Sequence, residues 1–252
     1  MKKSKRIIKA IIGIILICSI GAGGYYGNMI GLFNKGNADK YSVKRSEMYN
    51  NNLKGKTIIF LGSSVTYGFA SKGEAFADYL EKQDGIVSVK EAVSGTTLVD
   101  DKKNSYVSRL KEIDKDINAD AFICQLSTND ATQDKPLGEV SEGFDIDTFD
   151  THTVTGAMEY IIAYAKEAWD CPVVFYTGTK YDSENYQKMV DVLLKLREKW
   201  NIGVIDLWNN EEMNSVSDED YKLYMNDDIH PTRKGYKEWW TPVFREYLQK
   251  MF

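Results

Sequence analysis

Five short β-rich runs alternate with amphipathic helical stretches, and this alternation constrains the fold more than any other feature of the chain. The runs are Thr57–Leu61, Val87–Val93, Ala121–Leu126, Val173–Thr177 and Gly203–Leu207. Strands this short and apolar, separated by helix-length segments, belong to a parallel sheet covered on both faces. One intervening segment places Met158, Ile161, Ile162, Ala165 and Trp169 at helical spacing, and another Tyr186, Met189, Val190, Leu193 and Trp200. A last one carries Tyr236, Trp240, Phe244, Tyr247 and Leu248, with Pro242 placed to bend or split it. The expectation is one three-layer α/β/α domain with a five-stranded parallel sheet over residues 55–252. In such sheets the ligand sits beyond the carboxyl ends of the strands, so chemistry is sought in the residues that follow each strand.

The N-terminus reads differently. Residues 1–9 hold Lys2, Lys3, Lys5, Arg6 and Lys9, and Ala10 to Phe33 is a run of 24 residues without a charge. As a helix that run would reach about 36 Å, enough for a hydrocarbon core of about 30 Å. Positive charge stays on the cytoplasmic side, so the domain would stand outside the cell membrane on a single-pass anchor. A cleaved signal is the alternative, because the dense apolar part Ile11–Ile20 also suits a signal segment and small residues near Gly21 suit a peptidase. Cys18 is no lipoprotein site, since Ile17 stands where a small residue is needed. Residues 34–54 are polar and aperiodic and read as a tether, partly helical around Tyr41–Tyr49.

Composition removes other classes. The net charge is −5, and once the basic tip is set aside 27 basic residues face 37 acidic ones. A nucleic-acid binder would be basic. Two His and three Cys without a CxxC pair give no metal centre, and no cofactor is expected. Cys124 and Cys171 flank apolar runs and read as buried thiols rather than a disulfide.

The residues after the strands supply a nucleophile, a base and oxyanion donors. Gly62-Ser63-Ser64-Val65-Thr66 follows the first run, Ser94-Gly95-Thr96 the second and Ser127-Thr128-Asn129-Asp130 the third, while Asp227-Asp228-Ile229-His230-Pro231 stands near the end. A serine hydroxyl needs an imidazole to take its proton, and the imidazole needs a carboxylate to fix its tautomer. Asp227 and His230 can meet within one turn, and Pro231 keeps His230 out of helical geometry. The N–H groups of Ser64 and Gly95 and the Asn129 amide would hold the oxyanion. His152, in the long Gly138–Thr155 loop, is the competing base or a substrate contact, and that loop is a candidate site wall.

At these residues the chain resembles the SGNH, or GDSL-type, hydrolases. Gly62-Ser63-Ser64-Val65-Thr66 is similar to the family's first block, Gly-Asp-Ser-Leu-Thr, with Ser64 in the nucleophile place. Gly95 matches the second-block glycine, Asn129 the asparagine of Gly-x-Asn-Asp, and Asp227 and His230 the family's Asp-x-x-His. Ser63 replaces the first-block Asp and Ser127 the third-block Gly. The resemblance implies a flavodoxin-like sandwich and cofactor-free Ser-His-Asp acyl transfer, with Ser64, His230 and Asp227 catalytic and Ser64, Gly95 and Asn129 forming the oxyanion hole. The expected activity is a membrane-tethered extracytoplasmic esterase acting on short-acyl esters of glycans or envelope polymers. A lysophospholipase or other lipid esterase, an acyltransferase on the same triad, and a non-catalytic glycan-binding or scaffolding module are the alternatives.

Overall fold

The computed structural model describes residues 23–252. The basic tip and the first part of the expected membrane segment lie outside the described residues.

Five strands, β1 (Thr57–Gly62), β2 (Val87–Ala92), β3 (Ala121–Gln125), β4 (Val173–Tyr176) and β5 (Gly203–Ile205), form one parallel sheet in the order β2-β1-β3-β4-β5. From Ser64 onward the α-helices, in chain order, are α1 (Ser64–Tyr67), α2 (Phe76–Asp84), α3 (Tyr106–Leu110), α4 (Thr128–Thr132), α5 (Val154–Trp169), α6 (Glu184–Trp200), α7 (Asp218–Tyr224), α8 (Arg233–Gly235) and α9 (Thr241–Met251). Successive strand residues point to opposite faces, so each apolar run feeds two cores. Ile58, Phe60, Ile123 and Tyr176 pack with Phe76 of α2 and Phe244 of α9. Ile59, Leu61, Phe122 and Phe175 pack on the other side with α3, α5 and α6, through residues such as Leu110, Ile161 and Leu193. This is the expected three-layer sandwich.

The helices begin where the sequence supplies a cap. Thr153 accepts a hydrogen bond from Gly156 N–H to start α5, and Ser183 accepts from Tyr186 N–H to start α6. Pro242 falls in the first turn of α9, and the helical backbone runs on without a break from Arg233, through the π-helical segment Tyr236–Trp240, so the proline does not split the last helix. Cys124 and Cys171 are both buried and free. Burial pushes the Cys124 thiol well up and the Cys171 thiol to about 11.

The N-terminal segments depart from the tether reading. The helix described from Gly23 ends at Met29, and Gly31 turns the chain with φ +72°. Among the described residues no helix is long and apolar enough to cross a membrane. Residues 34–54 are seated on the domain through three 3₁₀ turns, Lys35–Asn37, Asp39–Tyr41 and Val43–Arg45, and Leu53 is fully buried. A polar, aperiodic segment is held this way by side chains bonded to distant backbone. Asn37 donates to Gly31 O and Ala70 O, both at 2.7 Å, and accepts from Arg233 N–H at 2.8 Å. Asn34 donates to Met225 O at 3.1 Å.

Candidate active site

β1 and β3 are neighbours at the centre of the sheet, where the connections leave in opposite directions and a crevice opens at the carboxyl ends. The chain leaves β1 through a turn that only glycine allows. A Cβ on Gly62 would lie 1.7 Å from Thr66 Oγ1. The turn is fastened from below by Gln125 at the end of β3. Its Oε1 accepts from Ser63 N–H at 2.9 Å, Thr66 N–H at 3.2 Å and the Thr66 hydroxyl at 2.8 Å. Ser64 then opens α1, with 6% of its surface exposed.

The Asp227–His230 loop meets that serine. His230 Nε2 lies 2.8 Å from Ser64 Oγ, and Nδ1 lies 2.9 Å from each Asp227 carboxylate oxygen. Asp227 Oδ1 also accepts from the N–H groups of Ile229 at 2.9 Å and His230 at 2.8 Å, so the carboxylate shapes its own turn. An Nδ1–H donated to Asp227 leaves Nε2 as the acceptor facing Ser64. Burial acts to raise the Asp227 pKa, but the hydrogen bond and charge of His230 and the two backbone N–H groups outweigh it and hold the carboxyl below its usual range. Phe69 packs its ring 5.4 Å from the His230 ring and fixes it from one side.

The segments after β2 and β3 converge on the same turn. Asn129 Nδ2 lies 3.2 Å from Ser63 Oγ and 2.9 Å from Thr96 O, so the amide stands between the nucleophile turn and the loop after β2. Ser127 caps α4. Gly95 is exposed in the loop after β2 and adopts φ +80°, a left-handed conformation that glycine takes without strain. His152 is exposed in the turn before α5, and its loop is tied to α5 and α6. There Lys199 Nζ bonds Glu159 and the carbonyls of Ser141 and Gly143. The ring that reaches Ser64 is that of His230.

Four supporting residues escaped the sequence reading. Gln125 is one. Arg109 donates to Gly62 O at 2.8 Å and Thr96 Oγ1 at 3.0 Å, joining the loops after β1 and β2. Asp130 accepts from Leu98 N–H at 2.7 Å and Val99 N–H at 3.1 Å; burial dominates these bonds and raises its pKa. Asn37 links Ala70, just past α1, to Arg233, just past His230. The available signal was a polar residue inside an apolar run, as with Gln125 before Leu126 and Arg109 before Leu110. Asn37 carried no such signal.

Beside the turn after β1 lies a largely apolar groove of about 580 Å³, lined by Tyr26, Ile30, Leu32, Tyr67, Phe69, Ala92 and Val93 together with Lys72, Gly73 and Ser94. Among the described residues no group of three His, Cys, Asp or Glu could hold a metal ion.

A parallel α/β/α sheet that brings a serine, a histidine and an aspartate into one hydrogen-bonded line at its carboxyl end has the architecture of a serine hydrolase. The chain belongs to the GDSL-like lipase/acylhydrolase family, whose model matches residues 60–238. It is therefore an ester-hydrolysing serine hydrolase. Its fold is similar to that of a Lactobacillus plantarum protein, at 18% identity and a TM-score of 0.66, covering 80% of this chain and 100% of that one. It is similar also to a lipase/acylhydrolase from Enterococcus faecalis, at 18% identity and a TM-score of 0.54, over 78% of this chain and 96% of the other. A member of the lipolytic G-D-S-L family from Veillonella parvula matches at 16% identity and a TM-score of 0.56, over 76% and 97% of the two chains. No curated protein matches the chain.

Proposed function

We propose that the protein is a membrane-tethered, extracytoplasmic esterase that works through an acyl-enzyme on Ser64. The observation that carries this reading is the continuous line from Ser64 Oγ through the His230 ring to Asp227, with contacts of 2.8 and 2.9 Å. His230 takes the Ser64 proton as Oγ attacks the ester carbonyl, and Asp227 stabilises the imidazolium that forms. The oxyanion is held by the N–H groups of Ser64 and Gly95 and by the Asn129 amide, which turns one N–H away from Ser63 as charge develops. His230 then protonates the leaving alcohol, and water releases the acid by the same route. The basic tip and the uncharged run that opens at Ala10, with its dense apolar part Ile11–Ile20, support the anchor and the outside location.

For the substrate, the sequence favours short acyl groups on glycans over lipid esters. The apolar groove at the nucleophile turn favours the second branch, an ester with an apolar chain. A serine-directed phosphonate applied to the full chain in detergent tests the mechanism. Peptide mapping should place the label on Ser64, and Ser64→Ala should abolish both label and ester cleavage. A label on Ser63, or ester cleavage surviving in Ser64→Ala, overturns the assignment.

A further inference from the structure

The groove beside Ser64 has two walls of different origin. One is the catalytic framework itself, with Tyr67 and Phe69 following Ser64 and Val93 preceding Gly95. The other is the stem that precedes the domain: Tyr26, Ile30 and Leu32. That stem is fixed to the triad loop. The Asn226 amide donates to Asn28 O at 3.1 Å and Met29 O at 3.2 Å, closing the end of the stem helix, and Asn226 is the neighbour of Asp227. Asn226 N–H also bonds His230 O at 2.9 Å. Below the groove, Gly31 is packed so closely that a Cβ there would lie 2.3 Å from Ala70 O, so the stem crosses the nucleophile segment at van der Waals distance.

We propose that Tyr26, Ile30 and Leu32 determine specificity by forming the outer wall of a subsite for the apolar chain of an amphiphilic ester. The inference rests on the esterase reading above. A groove of this size lies within the range of small-molecule sites, and its lining is mainly aromatic and aliphatic. Leu32 and Tyr26 are 54% and 57% exposed, an arrangement that leaves apolar surface to be covered by a ligand rather than by the protein. Each methylene moved from water into such a wall is worth up to a factor of about four in binding. Chain length, not the ester group, is what the stem reads. An acetyl group is consumed at the oxyanion site and does not extend to the stem.

The test is a pair of kcat/KM values, for p-nitrophenyl acetate and p-nitrophenyl octanoate, on the full chain in one detergent. Wild type should prefer the octanoate by at least about tenfold. Leu32→Asp should lower the octanoate value by about tenfold or more while the acetate value moves less than about twofold, and Tyr26→Ala should shift the ratio in the same direction. Leu32→Met should restore the wild-type ratio. Thermal melts of each variant identify any that fail to fold, and Tyr26→Ala, an exposed truncation, then stands in for Leu32→Asp. A parallel fall on both esters, or an unchanged ratio, overturns the stem as a specificity wall. Absence of cleavage of either ester by wild type, or cleavage that survives Ser64→Ala, is instead a failure of the esterase reading.

Discussion

Replacing Gln125 by methionine separates hydrogen bonding from packing under the nucleophile turn. Methionine keeps the length of the side chain, so no large cavity opens, and Gln125 is only 1% exposed. What disappears is the acceptor for Ser63 N–H, Thr66 N–H and the Thr66 and Tyr176 hydroxyls. The two hydroxyls lie 2.6 Å apart and can still bond each other. The two backbone N–H groups cannot turn, and each buried orphan costs about 1–3 kcal/mol. Against this, Gln125 Nε2 is itself buried without a protein partner, and methionine removes that cost. The net loss is about 1–3 kcal/mol, or roughly 2–12 °C in Tm for a domain of this size. The same turn carries the Ser64 N–H and Oγ, and misplacing them should lower kcat by about 10–100-fold. Thermal melts and single-turnover rates on one sample measure both. A Tm within one degree of wild type together with an unchanged kcat would refute the claim that Gln125 holds the turn.

Asn129→Ala should lower kcat by about 10²–10³ with little change in KM, because in the proposed mechanism the amide is used only as charge develops; a lowered Tm with an unchanged rate would make Asn129 a structural residue instead. Asp227→Asn should destabilise the protein near neutral pH. The folded-state pKa of Asp227 is depressed, so its contribution is present above the unfolded value and is lost as pH falls through the folded one. The Tm gap between wild type and Asp227→Asn should therefore narrow as pH falls through the ordinary carboxylate range, about 3.9, and close below the lower folded-state value, and a gap independent of pH from 7 to 3 would contradict this. Iodoacetamide at pH 8 should leave Cys124 and Cys171 unmodified in the native protein and label both after denaturation, since the thiols are buried and stay protonated; rapid native labelling mapped to Cys171 would show that its surroundings open.

The parts of the site legible in the sequence were those built from local contacts. Asp227 and His230 are joined within one turn, and Ser64, Gly95 and Asn129 each follow a strand whose apolar run marks its own end. The sheet was legible for the same reason, since its two cores come from alternation within single runs. Gln125, Arg109 and Asp130 act on backbone tens of residues away, and nothing in a polar residue's own neighbourhood states which distant carbonyl or N–H it will meet. The 34–54 segment was misread for a related reason. Its attachment rests on single bonds to distant residues, such as Asn37 to Ala70, Tyr49 N–H to Gln83 O and Val43 N–H to Glu74, and on scattered apolar contacts such as Leu53 rather than on an apolar stripe, so periodicity could not reveal it.

The Asn37 link has a kinetic consequence. It joins Arg233 to a residue 196 positions earlier, and Asn34 and Asn226 make bonds across 191 and 198 positions. Contacts of such separation form late, because the intervening chain must be ordered before they are rewarded. A ribosome-bound chain that has not yet released residues near 226 can build β1 and hold Ser64, yet it lacks both the histidine and the partner of its own stem. Ser64 therefore meets the His230 ring only once the Asn226–His230 loop has emerged, the same loop whose Asn226 amide bonds the stem.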